Sequence, residues 1–247
     1  LDRVGITPEE FYDELVRNPH HPKTSQPPPG DFRRQFEFLA SHYPAVVSVN
    51  LTRKVSGTCA SAESAAARIA AHGKVTVLDS EHASLGYGLV AMYAAECAQA
   101  GYDAERVLEA TRAMLPRTRT FGLIGSLEYS VRGGRVPRWV KNVADALGVM
   151  PVLHNRDGRV TAGGVLFGRK NLKEKFARFV QRRMRSGCSY RLLVGHANCE
   201  ADGRWLLERL SGDNVVYKRL LPVGTGFGVH GGPGLLVVGL QEYDPPQ

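Results

Sequence analysis

Four short segments carry the polar groups of this chain whose types and spacing suit binding chemistry. They are Thr24-Ser25-Gln26-Pro27-Pro28-Pro29-Gly30-Asp31-Phe32, Ser56-Gly57-Thr58, Gly133-Gly134-Arg135, and His230 within the stretch Gly224 to Gly232. In the first, proline fixes φ near −65° and removes backbone donors, so two hydroxyls and an amide sit on a turn whose shape is largely preset. Such a turn needs little ordering when it binds a small anionic or carbonyl group. Ser56 and Thr58 place two hydroxyls where a strand gives way to a helix, beside the positive end of that helix. An arginine next to two glycines suits a carboxylate or phosphate. A histidine among glycines can donate to a carboxylate or titrate near neutrality. Each feature has an ordinary alternative: a Pro-rich connector, simple N-capping, a solvated arginine, a structural histidine.

The common enzyme signatures fail on context. Gly226-Phe227-Gly228-Val229-His230-Gly231 has the spacing of a dinucleotide-binding turn, but Pro233 and an apolar run follow it instead of a helix. Gly163 to Lys170 has the glycine spacing of a phosphate-binding loop, with Arg169 in the lysine position. His230-Gly231-Gly232 is similar to an oxyanion turn, yet no G-x-S-x-G elbow is present. No H-E-x-x-H or aspartate-rich metal loop occurs. What remains is a set of anion-friendly turns without an obvious catalytic base.

The elements that must position these turns read as follows. Thr7-Pro8-Glu9-Glu10 is a capping box with proline at the first helical position, and it opens a helix bearing Phe11, Tyr12 and Leu15. Phe32 to His42 is a second helix with Phe32, Phe36 and Leu39 on one face. Strands over Ala45–Leu51 and Val75–Ser80 alternate with helices over Ala60–His72, Leu85–Ala100 and Ala104–Met114, a pattern of parallel β with crossover helices. Ligands of such sheets gather at strand carboxyl ends, where the Ser56 turn and Asp79-Ser80 fall. Beyond it the chain reads as a strand over Phe121–Leu127, a glycine turn, a short helix over Val140–Leu147, and a hairpin around Asn155-Arg156-Asp157-Gly158. A basic helix over Lys170–Arg185, strands over Arg191–Ala197 and Val215–Leu221, a helix over Glu200–Leu210, a Gly-rich loop holding His230 and a final strand over Leu235–Leu240 complete it.

The predicted fold class is therefore α/β. It has an N-terminal parallel α/β domain over residues 1–116 and a C-terminal α+β domain with a mixed or antiparallel sheet over 117–247. The 247 residues, 43% hydrophobic, are enough for sizeable cores and contain no membrane-length apolar run. The four cysteines lack metal or disulfide spacing and read as reduced thiols of a cytoplasmic protein. Residues 1–116 hold 11 Lys+Arg against 14 Asp+Glu, and residues 117–247 hold 21 against 10, so the +8 net charge splits into −3 and +11. The basic half suits an acidic partner, a membrane surface or a phosphorylated ligand. Its cluster Arg169, Lys170, Lys173, Lys175, Arg178, Arg182, Arg183 and Arg185 also motivates a nucleic-acid-binding regulator as the alternative, although no nucleic-acid module surrounds it.

Taken together, the turns resemble the DegV family of bacterial lipid-binding proteins. The resemblance rests on Thr24-Ser25-Gln26-Pro27 with Gly30-Asp31-Phe32, on Ser56-Gly57-Thr58 with Ala62, and on Val77-Leu78-Asp79-Ser80 with Gly86. It continues through Leu127-Glu128-Tyr129 with Gly133-Gly134-Arg135, Leu147-Gly148-Val149 with Pro151-Val152-Leu153, and His230-Gly231-Gly232-Pro233-Gly234. It implies two domains with a long-chain fatty acid between them. The carboxylate-binding positions fall on Thr24, Ser56 and His230, with Arg135 assisting and Ser25, Gly57 and Thr58 adjoining. The resemblance implies no cofactor beyond the bound fatty acid. It implies a non-enzymatic carrier that presents the carboxylate to a separate ATP-dependent fatty acid kinase subunit, which makes the acyl phosphate. Peripheral membrane contact fits the charge, and no nucleic acid is expected. The family usually begins with a strand and an Asp-Ser turn that this sequence does not show, and it often has Leu and Thr where this chain has Val55 and Gly231.

Physical chemistry fits the implication. Each buried methylene contributes ~0.8 kcal/mol, so a sixteen-carbon chain supplies on the order of 10 kcal/mol before ordering costs. Its carboxylate must be hydrogen-bonded once removed from water. Phe121, Leu123, Leu127, Val149, Leu153, Val165 and Phe167 are candidate tunnel walls, with ordinary core packing the simpler role for most. A hydrolase using Ser56 or Ser80 with His230 is a third reading, weakened by the missing elbow.

Overall fold

The computed structural model describes residues 5–70 and 73–246. In chain order the elements are α1 (Pro8–Arg17), α2 (Pro29–His42), β1 (Val46–Asn50), α3 (Thr58–Ala66), β2 (Val75–Asp79), α4 (Ser84–Gln99), α5 (Ala104–Met114), β3 (Thr118–Leu123) and α6 (Leu127–Arg132). They continue as α7 (Arg138–Ala146), β4 (Val149–Arg156), β5 (Arg159–Phe167), α8 (Leu172–Gln181), β6 (Tyr190–His196), α9 (Glu200–Leu210), β7 (Val215–Pro222), α10 (Thr225–Gly231) and β8 (Leu236–Glu242). Among the described residues the strands form a two-stranded sheet, β1-β2, and a six-stranded sheet ordered β5-β4-β3-β8-β6-β7. The α/β class read from the sequence is what the chain adopts.

The chain sorts into two compact units that interleave along the sequence. One holds residues up to Thr24, then Thr120–His154 and Thr161–Leu240; the other holds Ser25–Arg119, Asn155–Val160 and Gln241 onward. The second unit has the parallel half of the fold. β1 and β2 run parallel with Asn50 opposite Asp79, and period-2 alternation assigns their side chains to opposite faces. Val75 and Val77 pack with Phe36, Ala40, Ala62, Ala65 and Ile69 of the α2–α3 side. Val47 and Val49 pack with Tyr93, Ala94, Cys97, Val107 and Met114 of the α4–α5 side. The segment 155–160 joins this unit through three hydrogen bonds. Thr52 Oγ1 donates to the Gly158 carbonyl (2.8 Å), Lys54 Nζ to the Asp157 carbonyl (2.6 Å) and Asn155 Nδ2 to the Glu81 carbonyl (2.5 Å).

The first unit is built on the six-stranded sheet. β6 and β8 are buried almost throughout, as their unbroken apolar runs require of central strands. β6 and β7 are parallel across the α9 crossover, while β3 and β4 are antiparallel, so the sheet is mixed. The capping box holds: Glu10 N–H donates to Thr7 Oγ1 (3.2 Å) and Thr7 N–H to Glu10 Oε2 (2.8 Å). Three segments differ from expectation. The strand predicted to reach Leu127 ends at Leu123, because Ser126 caps a helix there by accepting from the Glu128 N–H (3.2 Å). The predicted Gly-rich loop around His230 is the helix α10. The predicted helix over Ala60–His72 ends as α3 at Ala66, and His72 lies outside the described residues. All four cysteines are free thiols.

Candidate functional site

α10 holds His230 in the first unit, and three glycines in it or at its C-terminal end, Gly228, Gly231 and Gly232, sit where neighbours come too close for a side chain. A Cβ on Gly228 falls 2.1 Å from Tyr12 Oη, one on Gly231 2.5 Å from Leu235 Cδ2, and one on Gly232 2.2 Å from Tyr129 Cδ2. Gly232 also has φ +72°, which only glycine adopts freely. Tyr12 is fixed by donating its hydroxyl to the Val223 carbonyl (2.9 Å). Ser130 of α6 donates its hydroxyl to the His230 carbonyl (2.7 Å), tying α6 to α10. Leu235 thus fills the space that a side chain at position 231 needs.

This packing presents the His230 ring to Thr24. Thr24 Oγ1 lies 3.1 Å from His230 Nε2. On the other side of the ring, Nδ1 is shielded from solvent, lacks a hydrogen-bond partner and faces Gly133, whose hypothetical Cβ lies 2.2 Å away. A buried N–H without an acceptor costs more than an unused lone pair, so the ring proton belongs on Nε2. There it donates to Thr24 Oγ1, and the threonine hydroxyl proton is left to donate outward. Burial pushes the His230 pKa down to about 4, with the Arg135 guanidinium and His21 adding to the effect. His230 is therefore a neutral hydrogen-bond donor at neutral pH. Arg135 is exposed, donates Nη1 to the Gly133 carbonyl (2.8 Å), and makes no ion pair among the described residues.

The Ser56 turn belongs to the second unit. It follows β1 and opens α3, at the carboxyl end of the parallel pair. Ser56 Oγ and Thr58 Oγ1 are 2.8 Å apart, and the Thr58 N–H donates to Ser56 Oγ (3.3 Å). Gly57 is the N-cap without a side-chain cap. Its missing side chain makes room for Gln26, whose Oε1 lies 1.9 Å from where a Cβ would sit and whose Nε2 donates to Ser61 Oγ (3.1 Å). Ser25 is exposed. The structure thus brings Thr24 to His230 with Arg135 nearby, and brings Ser56, Gly57 and Thr58 into one turn under Gln26. Among the described residues no group of three or more His, Cys, Asp or Glu is arranged to hold a metal ion. Among the tunnel-wall candidates, Phe121, Leu123 and Leu127 are buried, whereas Val165 and Phe167 are exposed at 44% and 75% on the edge strand β5.

Two residues escaped the sequence reading. Gln26 was part of the first turn but not assigned a role. His21 was given no role; its ring nitrogens are both shielded and unpartnered, and its ring centroid is 6.5 Å from that of Tyr129. Burial and the Arg132 guanidinium lower its pKa. The basic helix is largely spoken for by its own neighbours: Lys173 pairs with Asp202, Lys175 donates to the Phe167 carbonyl (2.6 Å), Arg183 stacks on Phe179 (3.4 Å to the ring centre) and Arg169 pairs with Asp145 (2.7 Å). Lys170, Arg178 and Arg182 remain exposed.

The chain is similar to known proteins over most of its length. A DegV domain-containing protein of Deinococcus radiodurans is 29% identical over 244 residues, covering 97% of this chain and 85% of the relative. One from Caldanaerobacter subterraneus is 35% identical over 169 residues, covering 68% of this chain; the match spans only 60% of that relative's length. Among solved structures, a Thermus thermophilus DegV family protein described by its fatty acid binding superposes with a TM-score of 0.88 at 29% identity, covering 98% of this chain and 86% of the other. Bacillus subtilis DegV, described as a fatty acid binding protein, superposes with a TM-score of 0.84 at 27% identity, covering 98% and 86%. None of these similarities supports the nucleic-acid reading. The family described as "uncharacterised protein, DegV family" matches residues 1–242, and the chain belongs to the DegV family.

Proposed function

We propose that this protein binds a long-chain fatty acid and holds its carboxylate with Thr24 and His230, assisted by Arg135. The observation that carries the reading is the Thr24–His230 pair itself. It is a neutral imidazole with one nitrogen walled off by Gly133, a hydroxyl proton left to donate, and an arginine free of ion pairs among the described residues. Donors of this kind stabilise a desolvated carboxylate without attacking it. The fatty acid binding described for the Thermus thermophilus and Bacillus subtilis proteins supports the ligand class. In the same reading Ser56 with Thr58, and the adjoining Ser25 and Gly57, complete the head-group contacts. The protein is then a carrier without catalysis of its own. It presents the carboxylate to a separate ATP-dependent kinase subunit, and the exposed Lys170, Arg178 and Arg182 suit docking to an acidic face.

Loading from a lipid surface fits α7. Trp139, Val143 and Leu147 recur every four residues and are exposed at 67%, 49% and 68%, flanked by Arg138 and Lys141. An apolar stripe edged by cations is suited to peripheral contact with an anionic membrane. The test is equilibrium binding of labelled palmitate to delipidated protein. Thr24→Val and Ser56→Ala are expected each to weaken binding about tenfold or more, the value of one hydrogen bond to a charged group. Unchanged affinity in both removes these residues from the head-group site.

A further inference from the structure

We propose that His21 is a head-group residue of the same site: the imidazole that takes up the proton accompanying an anionic ligand, while His230 stays neutral and donates a hydrogen bond. This rests on the fatty-acid-binding reading and adds to it a residue and a proton. His21 stands three positions before Thr24, and its ring lies against Tyr129, whose own ring covers the backbone of Gly232 two positions past His230. One corner of the unit therefore gathers His21 Nδ1, His21 Nε2 and His230 Nδ1, all three shielded and without hydrogen-bond partners. Buried imidazoles are ordinarily fixed by a partner on at least one nitrogen. His230 has Thr24; His21 has none, and a ligand group is the missing partner.

The charges facing the two rings have one sign. His21 feels Arg132, and His230 feels Arg135 and His21. Arg132 is held by Glu128 (3.0 Å), whereas Arg135 lacks any carboxylate among the described residues. An anion is the counter-charge that such surroundings lack. The two imidazoles also divide the work. A proton on either opposes a proton on the other; burial disfavours charge on both rings but more strongly on His230, whose Nε2 is already engaged by Thr24, so His21, with both nitrogens unpartnered, is the one that charges. The step balances simply: the carboxylate enters as an anion, one proton comes from solvent to a ring nitrogen of His21, and no covalent bond changes.

The experiment is labelled-palmitate binding to the delipidated full chain from about pH 5.5 to 8.5, which spans the imidazole range, with wild type and His21→Gln compared. In wild type the dissociation constant should rise with pH by up to about tenfold per pH unit, the limit for one linked proton. His21→Gln should bind with a flat profile at the weaker, high-pH affinity. Ring 15N shifts of wild type provide a readout that needs no variant: palmitate should drive His21 to the imidazolium pattern and leave His230 neutral. Palmitate binding with the same pH profile in both proteins, or an imidazolium at His230 instead, overturns the assignment of His21 alone. Absence of palmitate binding by wild type at every pH overturns the fatty-acid reading and this proposal with it.

Discussion

Gly133→Ala tests the packing that aims His230. Gly133 has ordinary helical angles, φ −75° and ψ −2°, so alanine is conformationally allowed there. By itself the change stabilises by about 0.4–1 kcal/mol through the unfolded chain. The cost comes from space. The new Cβ lies 2.2 Å from His230 Nδ1, 3.0 Å from its Cε1 and 3.2 Å from the Tyr129 carbonyl oxygen. The backbone oxygen needs to give only slightly, but the imidazole must swing away. Overpacking of this kind costs about 1–3 kcal/mol, and losing the Thr24 contact adds about 0.5–1.5 kcal/mol. The net expectation is a loss of roughly 1–3 kcal/mol, read by urea unfolding, with palmitate affinity down about tenfold or more because the donor is displaced. Gly101→Ala is the control: it has φ +86° and open space, so it costs stability through backbone strain without touching His230. In a His230→Ala background most of the penalty of Gly133→Ala should vanish, since only the 3.2 Å approach to the Tyr129 carbonyl oxygen is left. Equal stability and affinity in Gly133→Ala and wild type, or the same penalty in both backgrounds, refutes the placement of the ring.

Other consequences follow from the same geometry. His230 has a folded pKa of about 4 against the ordinary 6.5, so between those values the unfolded chain takes up a proton that the folded chain refuses. Stability should therefore fall as pH drops through this window, by about 1–2 kcal/mol after allowance for partial exposure, and His230→Leu should flatten that part of the curve in urea unfolding at several pH values. Gly228→Ala puts a Cβ 2.1 Å from Tyr12 Oη and should destabilise by about 1–3 kcal/mol. Adding Tyr12→Phe should recover part of that loss by removing the oxygen, and thermal unfolding of the three variants measures it.

Much of this was legible in local sequence, and what was not has identifiable causes. The Thr7 capping box, the alternating apolar strands β1 and β2 and the Asp157-Gly158 hairpin are specified by residues within a few positions of one another, and they fold as read. α10 was misread as a loop because five glycines in nine residues argue against a helix on propensity. Three of them are there to admit Tyr12, Tyr129 and Leu235, and the first two come from distant parts of the chain. His21 was overlooked for the same reason, since the ring it lies against, Tyr129, comes more than a hundred positions later. The sequence suggests a division near residue 116, whereas the units interleave; the hydrogen bonds that carry 155–160 into the second unit involve backbone carbonyls, which leave no signature in side-chain type. Gly57 could have pointed to Gln26, because a glycine at a helix N-cap where Ser or Asp is favoured signals a close approach.

The central claim is that a fatty acid carboxylate is the ligand of Thr24 and His230. Its most direct test is native mass spectrometry of the purified full chain, followed by lipid extraction and identification of whatever was bound. Long-chain fatty acid in wild type, depleted in a Thr24→Val/His230→Leu double variant that keeps its fold, is the predicted result. A wild-type protein that carries no fatty acid and does not take up labelled palmitate contradicts it.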